Sequence, residues 1–292
     1  MRILFKKPPY FSLENTVLAH GWVYLPPYNW DGYALCGAFS IKDDAFDFTV
    51  MEKGRNITIE LVGRTSRYSE DDFIPIFRYA LSLDFPLEDF IELCTAKKNK
   101  KLKNMARAGW GRILRSTSTW EDAVKTLFTT NCTWGNTERM AKNLCEILGN
   151  RTQNGNFSFP SARKVLKGYA KLKEVRIGYR EKYLSELAQK VTDGIISLDA
   201  CLASGGRSRD KAERDIKSLK GFGDYAANHL LMLYGWTDFL PVDREVLKYL
   251  GVKPVGSGEI PKNITHYSEY ERFRYTAYKL ERVARRRNWI GD

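Results

Sequence analysis

Apolar residues alternate in twos over the first seventy positions and recur every three to four positions from Glu70 onward. In the first part, "HGWVYLPPYNWDGYAL" and "FDFTVMEKGRNITIELVG" carry β-branched and aromatic residues interrupted by Pro-Pro, Asp-Gly and Lys-Gly-Arg-Asn, the make-up of strands joined by tight turns. Residues 1–70 are therefore expected to form a small antiparallel β domain, with residues 71–292 forming a helical remainder. "SEDDFIPIFRYALSL" opens with a serine and three acids, a helix start, and "PLEDFIELC" begins a second short helix. "TSTWEDAVKTLFTTNCTW" sets a Ser/Thr cap before Ala123, Val124, Leu127 and Phe128 at helical spacing. "NTERMAKNLCEILG" continues as a helix and stops at Gly149. Short helices follow at "SARKVLKGYA", "REKYLSELAQKVTDG" and "RDKAERDIKSL", and a last amphipathic helix over 267–287 is expected to pack back on the others. The fold class expected is α+β, a sheet in front of many helices.

The stretch "KSLKGFGDYAANHLLMLYG" adds a specific device. One helix ends near Leu219, Gly221 and Gly223 allow a tight turn around Phe222, and Asp224 caps a second helix. With no side chains at the two glycines, backbone amides and the following helix N-terminus can approach a DNA phosphate without reading base sequence. Further on, Pro241 ends one element and Asp243 opens the helix "REVLKYL". Two roles stay open for Asp243. It is an N-cap, or it is a carboxylate at the mouth of an aromatic cleft, placed to stabilise positive charge developing on a sugar.

Charge sharpens the division. Of 47 basic and 35 acidic residues, the first 70 positions hold eight of each, so the whole excess of +12 lies beyond them. A basic larger portion beside a neutral smaller one fits a polyanionic partner. Lys97, Lys98, Lys100, Lys101 and Lys103 read first as a solvated face. The five cysteines are dispersed, without CxxC spacing, and none follows Cys201, so neither a zinc site nor a C-terminal four-cysteine iron-sulfur cluster is expected. No apolar run has signal-peptide or membrane-span length, which sets the expectation of a cytoplasmic, nucleoid-associated protein that is neither secreted nor membrane-bound.

The order of hairpin glycines, helix and "PVD" resembles the helix-hairpin-helix, Gly/Pro/Asp superfamily of DNA base-excision glycosylases. "TLFTTNCTWGNTERMAKNLCEILG" is similar to the helix and Asn-containing loop that enters the gap left by the flipped base in 8-oxoguanine glycosylases, and "IGYREKYL" to their wedge segment. "FPSARKV" and "GWGRILRS" fit the same pattern. The resemblance covers most of residues 70–287 and, more loosely, the first 70. It implies that Asp243 is the catalytic carboxylate, that Asn131 fills the vacated space, that Tyr179 wedges beside the estranged base with Arg180 assisting, and that Lys220, Gly221, Phe222 and Gly223 lie at the phosphate. It also implies double-stranded DNA with a damaged base as partner, a monomer, no cofactor for catalysis and a structural monovalent cation on the hairpin carbonyls.

Two departures matter. Members that also cut the strand place a lysine two residues after the second hairpin glycine; here that residue is Tyr225, whose phenol forms no Schiff base. Asn136 stands where the 8-oxoguanine enzymes tend to have an arginine. The expectation is a monofunctional glycosylase acting on an alkylated purine, with Tyr225, His229, Trp134, Trp236 and Tyr278 around the base. The rivals are a bifunctional 8-oxoguanine glycosylase/lyase and a catalytically silent lesion-binding module.

Overall fold

The computed structural model describes residues 1–253 and 264–287. Five strands, β1 (Arg2–Lys6), β2 (Asn29–Trp30), β3 (Ala34–Ile41), β4 (Asp44–Lys53) and β5 (Asn56–Val62), form one antiparallel sheet in the order β1-β5-β4-β3-β2. The turn after β4 runs through Gly54 at φ +57°, and alternation then sets one face inward: Phe46, Phe48 and Val50 of β4, Ile57 and Ile59 of β5, and Phe39, paired with Phe46 across the ladder.

Helices occupy the rest. They are α1 (Leu13–Leu18), inserted between the first two strands, then α2 (Glu70–Ala80), α3 (Leu87–Ala96), α4 (Lys100–Arg107), α5 (Thr119–Thr129), α6 (Trp134–Leu148), α7 (Ala162–Lys167) and α8 (Leu172–Val175). The chain continues with α9 (Arg180–Thr192), α10 (Arg209–Lys217), α11 (Asp224–Leu233), α12 (Arg244–Leu250) and α13 (Arg274–Arg286). The α+β architecture is the one expected. The helix starts follow the caps: Ser118 accepts from the Glu121 N–H at 3.2 Å, and Ser69 and Asp72 form a reciprocal capping box. Phe73 and Phe77 of α2 pack into the sheet's apolar face, while a second core gathers the other long helices.

Two expectations are corrected. "HGWVY" is not a strand: Gly21–Tyr24 is a 3-10 turn, with Trp22 and Val23 in the core. Its aromatic content reads as strand because packing from distant helices, not local propensity, decides its shape. The C-terminal segment is not one continuous helix either. A 3-10 turn, Ser268–Phe273, precedes α13, and the break sits at Glu271, whose φ is +52°. Among the described residues no helix is long and apolar enough to cross a membrane.

Ten of the eleven residues of α5 are buried, including three that ionise. Asp122 takes the Trp22 Nε1–H at 2.6 Å and the Ser116 N–H at 2.9 Å on Oδ1, and the Tyr79 hydroxyl at 2.6 Å on Oδ2. Glu121 pairs with Lys125 at 2.6 Å, and the Lys125 ammonium lies 4.9 Å from the centre of the Tyr28 ring. Buried charges are tolerated only when satisfied this fully. Asp122→Ala strands three donors and is expected to cost about 3–5 kcal/mol in urea unfolding, with Asp122→Asn losing less because one acceptor remains.

Candidate active site

The hairpin joins α10 to α11. Gly221 has φ +89°, and a Cβ there would come within 2.5 Å of Leu127 Cδ1 and 2.9 Å of Tyr183 Cδ2, so both conformation and packing demand glycine. Gly223 has an ordinary φ of −68°; no atom lies within 4 Å of where its Cβ would be, which leaves the N-terminus of α11 uncovered. Phe222 departs from the expectation of a DNA contact by its side chain. It is 2% exposed, in the helical core, and anchors the turn from beneath, because an apolar ring gains more from burial than from a wet phosphate face. Lys220 is exposed and pairs with Glu186 at 2.8 Å. Lys217 pairs with Asp224 at 2.7 Å and Glu213 at 2.6 Å. These partners raise both lysines above their usual pKa, Asp224 then Glu213 acting on Lys217 and Glu186 on Lys220.

Asp243 is half-buried as the N-cap of α12. Its Oδ1 accepts the Val246 N–H at 2.7 Å; among the described residues Oδ2 has no hydrogen-bond partner. The cap therefore fixes the carboxyl group through one oxygen and leaves the other for chemistry, so the two roles left open from sequence are compatible. Asp243 acts electrostatically on Tyr225 and Tyr278. Burial first, and then this carboxylate, raise the Tyr225 phenol; burial raises Tyr278, with Asp243 contributing.

Tyr225, 36% exposed, leads from the carboxylate into a group of rings. Its ring lies 5.9 Å from that of His229, one turn along α11, and His229 lies 5.2 Å from both Trp22 and His20, which are 4.5 Å apart. Trp22 is fixed by Asp122, and the Trp134 ring lies over Gly21, whose added Cβ would be 2.8 Å from it. The His20 Nδ1 and His229 Nε2 atoms are shut off from solvent with no hydrogen-bond partner. Burial, followed by the charge of Lys279 on α13, holds His229 down to about 4. His20 is lowered by burial, His229 and Lys279.

The sequence-derived residues thus sort unevenly. Tyr225 and His229 are ring neighbours, the charge of Asp243 acts on Tyr225, and Trp134 lies at the edge beside Gly21; Tyr278 is buried among Tyr249, Tyr267 and Tyr275, with its hydroxyl accepting from Arg282 and only the charge of Asp243 linking it to this group. Trp236 does not join them. It lies beyond the far end of α11, its Nε1–H donating to the Cys201 carbonyl at 2.9 Å, and the ten residues of α11, about 15 Å, carry it away from Tyr225. Asn131 sits in a left-handed conformation, φ +47°, at the end of α5, and Tyr179 is half-exposed. Arg180 is corrected: it is 6% exposed and turned inward, donating from Nε to the Leu127 carbonyl at 3.3 Å and from Nη2 to the Thr130 carbonyl. It satisfies carbonyls at the C-terminal end of α5 and braces the loop that carries Asn131, rather than facing DNA. His20, Trp22 and Lys279 were not singled out in the sequence, where nothing marks residues this far apart as neighbours.

No family model and no curated protein matches the chain. Solved structures do. A 3-methyladenine DNA-glycosylase from Archaeoglobus fulgidus aligns with a TM-score of 0.72 at 18% identity, over 99% of this chain and 100% of that one. MBOgg1, in complex with a low affinity DNA ligand, gives 0.72 at 19% identity, over 97% and 96%. The Clostridium acetobutylicum 8-oxoguanine glycosylase/lyase in its apo-form gives 0.70 at 15% identity, over 96% and 94%. At such identities the likeness establishes a common fold of sheet and helices.

The depressed histidine has a measurable consequence. Folded His229 takes a proton only near pH 4, whereas the unfolded chain takes it near the ordinary value of about 6.5, so the unfolded state binds more protons between these limits. Stability is expected to fall as pH drops from 6.5 to 4. In thermal unfolding across that window, His229→Asn should show a shallower loss; an unchanged slope would mean that His229 titrates normally.

Proposed function

We propose that the chain is a monofunctional DNA N-glycosylase of the helix-hairpin-helix, Gly/Pro/Asp type, which flips a damaged base out of duplex DNA and hydrolyses its N-glycosidic bond. The observation that carries this reading is Asp243: a half-buried carboxylate held through one oxygen at a helix N-cap, its charge acting on the partly exposed Tyr225, downstream of a glycine hairpin whose helix N-terminus is uncovered. The fold shared with proteins described as DNA glycosylases supports it.

In this mechanism the hairpin amides hold a phosphate of the lesion strand, Asn131 occupies the gap, and Tyr179 wedges beside the estranged base. The flipped base stacks on Tyr225. As the C1′–N bond breaks, its electron pair leaves with the base and positive charge builds on the sugar. The Asp243 carboxylate stabilises that charge and orients a water, which adds to C1′ and loses its proton; an abasic site and the free base result. A hard cation on hairpin carbonyls, whose oxygen donors suit such an ion, would support the phosphate contact and takes part in none of these steps. Lys248 on α12 and Arg282 and Arg285 on α13 line one groove, and these three cations offer further phosphate contacts.

The amines near the hairpin support hydrolysis without strand cleavage. Tyr225 has none, and the ion pairs of Lys217 and Lys220 raise their pKa, the opposite of what an attacking amine requires. An alkylated purine is the favoured base, since an electron-rich phenol ring stacks well on it.

The test is single-turnover incubation with duplexes that each carry one lesion, scored for abasic sites with and without alkali. Base release by the wild type is expected to fall about 10³-fold or more in Asp243→Asn, the scale seen when a charge-stabilising group is removed. Strand breaks should appear only after alkali, and borohydride should trap no protein-DNA adduct. Undiminished release by Asp243→Asn would remove the carboxylate from the mechanism.

A further inference from the structure

At the C-terminal end of α11, a helix length from Tyr225, a cavity of about 480 Å³ opens between the end of α2, the turn at 82–86 and the loop at 202–204. Its wall is largely apolar, formed by Pro75, Phe85, Pro86 and Leu202 with the rings of Tyr79 and Tyr234. Three charged residues line it, Arg78, Asp84 and Arg115. Arg78 pairs with Asp84, which leaves the charge of Arg115 uncompensated. Arg115 is half-buried, and its guanidinium is set between the Tyr79 ring, whose centre lies 5.0 Å from Cζ, and Gly235, where an added Cβ would be 3.3 Å from Nη2. Nε is shut off from solvent without an acceptor, whereas the terminal nitrogens, equally without a partner among the described residues, are not enclosed. Asp122 makes no ion pair with Arg115 and spends both oxygens on the donors of Trp22, Ser116 and Tyr79. The arginine backbone is fixed from two sides, its N–H donating to the Ala80 carbonyl at 2.8 Å and its carbonyl accepting the Tyr28 hydroxyl at 2.7 Å. The guanidinium is thus held in place by backbone and ring contacts while its own donors stay unused.

We infer that this cavity binds a small organic acid, whose carboxylate pairs with the terminal nitrogens of Arg115 and whose flat apolar body lies against Tyr79, Phe85 and Leu202. The inference goes beyond the glycosylase reading and does not depend on it. A guanidinium presents its donors as a planar fork, and a carboxylate matches that fork with two oxygens. One uncompensated positive charge balances a monoanion. A phosphate monoester carries about −1.5 to −2 and would stay partly unbalanced, because Arg78 is already engaged by Asp84. The volume falls within the range of about 300–1,000 Å³ typical of small-molecule sites, and a mainly apolar wall with one anchoring charge is their usual make-up. A rigid, already placed arginine loses little freedom on pairing, which favours binding.

The probes are benzoate and 3-phenylpropionate, added at pH 7 to the isotope-labelled full chain and followed through its backbone amide resonances. Saturable shifts are expected at Tyr79, Arg115, Ala203 and Gly235. The uncharged analogues benzamide and 3-phenylpropionamide should bind about tenfold more weakly or worse, the scale of a lost charge-assisted pair, and Arg115→Gln should weaken both acids by a similar factor. Acetate, which has the charge without the body, should also bind about tenfold more weakly or worse. The comparison of acid with amide needs only the wild type, so it decides the matter if Arg115→Gln fails to fold. No saturable shift at these amides, equal affinity for acid and amide, or unchanged binding by a folded Arg115→Gln would each overturn the inference. Tighter binding of inorganic phosphate at the same amides would overturn it in favour of a phosphate site, and displacement of the acids by undamaged duplex DNA would make the cavity part of a DNA-binding face. Base release is no part of the measurement, so the result stands apart from the fate of the glycosylase reading.

Discussion

The Asp122 carboxylate is the constraint on which the site depends. A charged group enclosed at the centre of the molecule must be met by donors on all sides, and here they come from three places in the chain: the turn at Trp22, the helix at Tyr79 and the loop at Ser116. Satisfying one group thereby fixes the relative position of the N-terminal segment, the helix that covers the sheet and the central helix α5. Trp22 cannot shift without uncovering that charge, and Trp22 is the wall against which His20 and His229 pack. Stability at the centre and shape at the pocket are consequences of the same bonds.

The ionisable groups of α5 are paired, Asp122 by three donors and Glu121 by Lys125, and Arg180 takes carbonyls at the end of the helix, while the Thr126 and Ser116 hydroxyls are buried without partners. Beside α11 it is ring nitrogens that are left short, at His20 Nδ1 and His229 Nε2. Unmet hydrogen-bonding capacity is unfavourable in the free protein and is recovered when a ligand supplies the partner. The two hairpin glycines also differ. Gly221 is demanded from within by Leu127 and Tyr183, while Gly223 is open to the outside, so one glycine serves the fold and the other keeps a helix end bare.

Much of this was legible in the sequence where the signal is local. Caps and periodicity located the helices, the glycine pair located the hairpin, and the apolar approach to Asp243 marked an acid that both caps and faces a cleft. What escaped depends on contacts between distant segments. The aromatic-rich Gly21–Tyr24 turn has strand-like composition and is shaped by burial against helices more than a hundred residues away. Arg180 lies beside an exposed tyrosine in the chain, and only the path of the C-terminal end of α5 shows why the arginine turns inward while Tyr179 turns out. Trp236 follows α11 closely in sequence, yet one helix length separates it from the pocket. Lys279 is one cation in a run of basic residues on α13, and its neighbours along the helix do not reveal that its charge acts on His20 and His229.

The charge of Asp243 acts on Tyr225, and a lysine at that position would set an ammonium against the carboxylate. In the proposed mechanism the phenol leaves the sugar to the carboxylate and water. One turn along α11, His229 is packed against Tyr225, His20 and Trp22 and is held down to about 4 by burial first, so this group of rings carries no positive charge of its own at neutral pH.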